Sequence, residues 1–290
     1  MTVPVLILPY ALLALSMLSL WHRKTRKLWP ALFAVALTAA WMTNRIAWPG
    51  VLAVLAFGGL AWAYYRRARD DAWKALFAVG IAVLSLLLFH HQIPGFDNLK
   101  LLDRHRFSAD ALPYSLYLNF DKGSVGLFLL ACGWPLIATR QDWQRMLARS
   151  LPAFALGCGV ILLLSLALGY VRFDVKLPEA LALWAFKMLF FTVVAEEAFF
   201  RGFVQGELTR RWRGRRGGET AAWVTASVLF GLDHFGGGPL YIALATVAGL
   251  FYGWVLRKTG RIEASILFHL LLNTLHLLFF SYPALASVAG

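Results

Sequence analysis

The chain has 290 residues, 60% of them hydrophobic and 15% charged, and its mean hydropathy is +0.64. A soluble domain is nearer half apolar and a quarter charged, so the composition excludes an ordinary water-soluble globule and points to a polytopic membrane protein. The formal net charge of +13 does not indicate a nucleic-acid partner, because the basic residues sit in short clusters between apolar runs, where they act as topological signals.

Apolar runs that cross a bilayer as helices are ~17–25 residues long. On that yardstick the chain predicts an all-α bundle of about ten spans, at 3–21, 28–45, 47–65, 73–91, 123–139, 151–171, 180–208, 220–236, 239–256 and 262–281. The runs are continuous rather than alternating, which favours helices over a β-barrel. The first run is followed, not preceded, by its positive charges (HRKTRK, 22–27), the reverse of a cleaved signal peptide, so it reads as a retained span with its N-terminus outside. Cys132 and Cys158 each lie inside an apolar run and read as packing residues.

The loops support this orientation. Nineteen of the 28 Lys and Arg fall in alternate loops, in clusters at 22–27, 66–74, 140–149, 210–216 and 257–261. Seven fall on the opposite side, and Lys187 and Arg201 lie inside a span. The positive-inside rule makes the rich side cytoplasmic. Multi-pass insertion in a bacterial inner membrane, N-terminus outside, is the expected localisation. The long 92–122 loop mixes Pro, Gly, Asp and aromatics and reads as an outside connector. Asp121-Lys122 at its end is expected to mark a helix start with a surface ion pair.

The seventh span is the unusual one. FTVVAEEAFFRGFVQGELTRR, 191–211, is apolar yet carries Glu196, Glu197 and Arg201. An ionisable side chain in hydrocarbon costs ~2.5–3.5 kcal/mol by insertion scales, so such residues are rare and mostly functional. On an α-helix Glu197 and Arg201 share a face at i,i+4, while Glu196 is turned ~100° away. Arg201 can therefore neutralise Glu197 and leave Glu196 free for chemistry. Two further polar pairs follow. Phe230-Gly-Leu-Asp-His234 closes the eighth span, and His269-x-x-x-Asn273 puts two polar side chains on one face of the tenth. His276 continues that face and reads as a neighbour or packing residue.

At 1.5 Å per residue, Glu196 lies ~21 Å from the cluster at Arg210, His234 ~22 Å from Glu219, and His269 ~12 Å from Arg261. All three fall at hydrocarbon depth, where polar groups face a bundle interior or a hydrated cavity. A desolvated carboxylate is a useful general base towards water, histidines can orient that water or protonate a leaving amine, and an amide can donate to an oxyanion. These are the parts of a proteolytic site.

In this order on successive membrane helices, Glu-Glu-x-x-x-Arg, Phe-x-x-x-His and His-x-x-x-Asn resemble the CPBP family of CAAX-processing endopeptidases, bacteriocin-processing enzymes and related bacterial intramembrane proteases. The resemblance covers residues ~180–281 and implies a protease domain at 176–290 behind an N-terminal transmembrane region at 1–175. It implies that Glu196 activates water assisted by His234, that His269 and Asn273 complete the site, and that Glu197 and Arg201 support it. The family is often called metalloprotease. His-Glu-x-x-His is absent here, which leaves zinc, with His234 and His269 as ligands, as an open alternative. The expected partners are the lipid bilayer and a membrane-anchored protein or peptide precursor, since a prenylated CAAX protein is not the expected client in a bacterial membrane. Rival readings are a proton-coupled transporter and a non-catalytic membrane partner protein.

Overall fold

The computed structural model describes residues 3–68 and 70–288, so Arg69 of the second basic cluster lies outside the described residues. Each of the ten expected segments is helical. They are α1 (Val3–Ser19), α2 (Trp29–Met42), α3 (Trp48–Arg66), α4 (Asp71–Phe89), α5 (Phe120–Gly133), α6 (Arg140–Ala167), α7 (181–211), α8 (Gly218–Leu232), α9 (Gly238–Thr259) and α10 (Ile262–Phe279). By length and composition five are long and apolar enough to cross a membrane: α3, α4, α6, α10, and α9 together with the short turn before it.

Local chemistry sets several helix ends. Pro opens α2 and α3 within the first turn, where the missing N–H costs nothing. Asp70 accepts from the Trp73 N–H at 2.9 Å, and Thr139 accepts from the Asp142 N–H at 3.1 Å, capping α4 and α6. Gly260, at φ 66°, ends α9 in the left-handed region. The fifth helix is shorter than its expected 123–139 range at the far end. Pro135 disfavours helical backbone at the residue before it, and Trp134 is extended at φ −122° and ψ 134°.

The 92–122 loop departs from an all-helical reading. It holds a two-stranded hairpin, β1 (Leu99–His105) paired with β2 (Tyr114–Leu118). In β2 the side chains alternate, with Leu116 and Leu118 fully buried and Tyr117 exposed, the period-2 pattern of a strand. The surface ion pair expected at Asp121-Lys122 is not there. A helix does start at this point, but Asp121 is fully buried and Lys122 largely so, and each pairs with a residue distant in sequence.

The chain forms two compact units that alternate along the sequence. The first comprises residues 1–100, 117–138 and 190–203, thus α1 to α5 with the middle of α7. Its core is aromatic: Phe33 meets Phe128 edge-on at 4.9 Å, and Tyr10 meets Phe120 at 6.1 Å and Phe191 at 5.8 Å. The second comprises 101–116, 139–189 and 204–290, including α6, α8, α9 and α10. There Phe154 and Phe268 pack at 4.8 Å, and Gly157 leaves the space that the rings of Phe251 and Phe268 occupy. An extended segment after α6 is tied to the end of α10, with the Asp174 and Lys176 N–H groups donating to Phe279 O and Leu278 O, each at 2.8 Å.

Candidate active site

The acidic motif lies where α7 changes its winding. Leu189–Val193 and Glu197–Gln205 are π-helical, separated by the three α residues Val194–Glu196. Wide turns of this kind are rare and concentrate at functional positions. The sequence predicts a plain α-helix here, and no local propensity signals otherwise. Glu196, Glu197 and Arg201 are 5%, 0% and 1% exposed. Arg201 Nε lies 3.3 Å from Glu197 Oε2, so the expected pairing survives the change of winding. Burial of this depth is tolerated because each charge faces an opposite one.

Glu196 does not face chemistry alone, as the spacing suggested. Its Oε1 lies 3.7 Å from Lys122 Nζ on α5. The lysine passes over the Phe89 ring at 5.2 Å, a cation–π contact. Two glycines let α5 come this close. A Cβ at Gly126 stands 3.0 Å from Ala195 Cα, one residue before Glu196, and one at Gly123 meets Leu13 and Phe191 at 2.9–3.2 Å. Small residues at such a contact let helix backbones approach.

Behind Lys122 a polar network fixes the start of α5. Buried Asp121 faces His91 Nδ1 at 2.6 Å and accepts from Asn98 Nδ2 at 3.2 and 3.1 Å and from the Lys122 N–H at 2.8 Å. Asn98 Oδ1 in turn accepts from the Phe120 N–H at 2.9 Å, capping α5 across 22 residues. Asp121 also lies in the first helical turn, where a negative charge is favoured by the helix dipole.

The second unit holds the histidines, and Phe230 joins them. Its ring meets His234 at 4.6 Å and His269 at 5.8 Å, both edge-on, so the first residue of the Phe-x-x-x-His motif is the common wall of two imidazoles. His234 sits in the turn just after α8, and its Nδ1 lies 2.7 Å from Phe230 O. A carbonyl oxygen only accepts, so Nδ1 carries the proton and Nε2 of the neutral ring keeps the lone pair. His269 is 5% exposed and stacks on Tyr252 at 4.5 Å with the planes 18° apart. Asn273, one turn on and half-buried, donates from Nδ2 to Met188 Sδ at 3.5 Å, a weak bond that a better acceptor displaces. His276 is taken up locally: its Nε2 lies 3.2 Å from Ser281 O, and its ring packs on Tyr282 at 5.1 Å.

Sequence reasoning missed Lys122 and Tyr252 as neighbours of the motif residues. Lys122 left a signal, a lysine at the mouth of an apolar run beside Gly123 and Gly126. Tyr252 left none, because an aromatic in an apolar helix is ordinary core. For zinc, a catalytic site takes three protein ligands. Among the described residues no group of three or more His, Cys, Asp and Glu is arranged to hold a metal ion.

Residues 178–275 match the family model described as type II CAAX prenyl endopeptidase Rce1-like, a segment that contains every motif residue named above. No curated protein and no solved structure matches the chain.

Proposed function

We propose that this chain, which carries a Rce1-like domain of the CPBP and CAAX protease family at residues 178–275, is an intramembrane endopeptidase acting on a membrane-anchored protein or peptide precursor. One observation carries the reading. The three motifs expected of such a protease, at Glu196, His234 and His269, fall in order within the matched segment, and their side chains are buried or partly buried.

The proposed chemistry is general-base hydrolysis. The Glu196 carboxylate takes a proton from water, and the resulting hydroxide adds to the scissile carbonyl carbon. The oxyanion accepts hydrogen bonds from the Asn273 amide, whose resting partner is only a thioether. Collapse breaks the C–N bond, and the leaving amine takes the proton. His234, with its lone pair on Nε2, and buried His269 orient the water and pass that proton. Glu197 and Arg201 hold α7 in its wide winding.

The test begins with cells in which Glu196→Ala replaces the wild type, where membrane proteins that accumulate uncleaved identify the precursor. Purified Glu196→Gln should then cleave that precursor more slowly by at least about 10²–10⁴-fold, the range of general-base catalysis, while staying folded. Substantial cleavage by Glu196→Gln overturns the assignment. In the same assay cleavage should survive a strong chelator. Stoichiometric zinc that leaves and returns together with activity would instead make His234 and His269 metal ligands.

A further inference from the structure

We propose that Lys122 is a positioning residue for Glu196, holding its carboxylate ionised and in one orientation; the proposal rests on the reading of Glu196 as the base. The side chains of Lys122 and Glu196 are 18% and 7% exposed, and their charged atoms are 3.7 Å apart. A charge so far from water is costly unless an opposite charge faces it, so each stabilises the other in place.

Lys122 is anchored at its root. Asp121, held by His91 and Asn98, accepts the Lys122 N–H and fixes the first turn of α5. Gly126 sets the distance from α5 to α7 at Ala195, and Gly123 leaves room for the Leu13 and Phe191 side chains. The Phe89 ring lies along one side of the ammonium. Backbone, spacing and side-chain floor thus direct Nζ at Glu196 rather than at water. The neighbouring charges are already matched. On α7 Glu197 faces Arg201, and behind Lys122 the Asp121 carboxylate faces His91 and Asn98. Lys122 supplies Glu196 with positive charge from another helix of the same unit.

The ammonium serves both halves of the reaction. It keeps Glu196 unprotonated before water is activated, so that an acceptor is present. After the carboxyl has taken the proton of water, the same charge favours its release towards the leaving amine nitrogen. The proton count is conserved, and Lys122 itself gives up none.

The experiment is an infrared titration of the purified full-length protein in detergent, following the protonated-carboxyl band that Glu196→Gln abolishes. An opposite charge at ~4–6 Å shifts a carboxyl titration by ~1–3 pH units. In Lys122→Met the band should therefore persist to a pH higher by about that amount. The acidic limb of precursor cleavage should move up with it, with kcat lowered and KM unchanged, and Lys122→Arg should restore both. Lys122→Gln, closer in polarity, replaces the Met variant if that one is not recovered folded. A Glu196 band that titrates at the same pH with and without the lysine overturns the proposal. Cleavage by Glu196→Gln would overturn the base assignment instead, so the two failures are distinguishable.

Discussion

Arg201 Nε stands 3.3 Å from Glu197 Oε2 on the same wide turn of α7, and both side chains are at most 1% exposed. The pair is buried, so its partners depend on each other more than those of a surface pair do. Arg201→Ala takes the facing charge away from a buried carboxylate, and breaking such a pair costs roughly 3–5 kcal/mol. The variant should lose folded protein as well as activity, read as a lower detergent-solubilised yield and a lower melting temperature. Adding Glu197→Gln should recover part of the stability, since it removes the buried negative charge as well. A fully stable and fully active Arg201→Ala would make the pair incidental.

The approach of α5 to α7 gives a second expectation. Any side chain larger than hydrogen at Gly126 meets the Ala195 backbone at 3.0–3.1 Å. Gly126→Leu should therefore force the helices apart, with an overpacking cost of ~1–3 kcal/mol and a longer Lys122 to Glu196 distance. Gly59→Leu on α3 is the control, because a Cβ there meets nothing within 4 Å. Equal melting temperatures and equal cleavage rates for the two variants would refute a role for the close contact.

The orientation is tested by chemistry outside the helices. The bias of basic residues predicts a cytoplasmic 209–219 loop and an outside 92–122 loop. His105 and Arg213 are both exposed, so single cysteines at these positions should react with a membrane-impermeant thiol reagent from opposite sides. Labelling of position 105 only after the membrane is opened, or of position 213 in intact cells, reverses the topology.

The extended segment at Asp174 should respond to acid. A hydrogen bond from Ser108, then the neighbouring Lys176, holds the Asp174 carboxyl below the usual carboxylate value. A group whose folded value is depressed stabilises the fold above its unfolded value, ~3.9, and loses that contribution as pH falls through the folded one. Hydrogen exchange at the Asp174 and Lys176 amides should accelerate below that pH in the wild type, and already at neutral pH in Asp174→Asn. Protection that is the same in both proteins at neutral pH counts against it.

The sequence by itself determined where the helices run and singled out the residues proposed for the chemistry. Ten apolar runs became ten helices, eight of them within a few residues, while α6 begins at Arg140 rather than 151 and α5 ends at Gly133 rather than 139; an apolar segment in hydrocarbon has no other way to satisfy its backbone. The motif residues at 196, 197 and 201 declared themselves in the same way, since charge inside an apolar run is too costly to be accidental. The pairing of Glu197 with Arg201 followed from spacing alone. The tertiary structure decided what local pattern does not encode. The π winding of α7 sits in a run whose sequence reads as ordinary helix. Phe230 as the shared wall of His234 and His269 needed α8 and α10 to be placed side by side. Lys122 looked like a surface charge because its nearest sequence neighbour is an aspartate. Only the close approach of α5 to α7 turned it towards Glu196, 74 positions further along the chain, because in an interior short of water a buried charge is matched by whatever opposite charge the packing brings within reach.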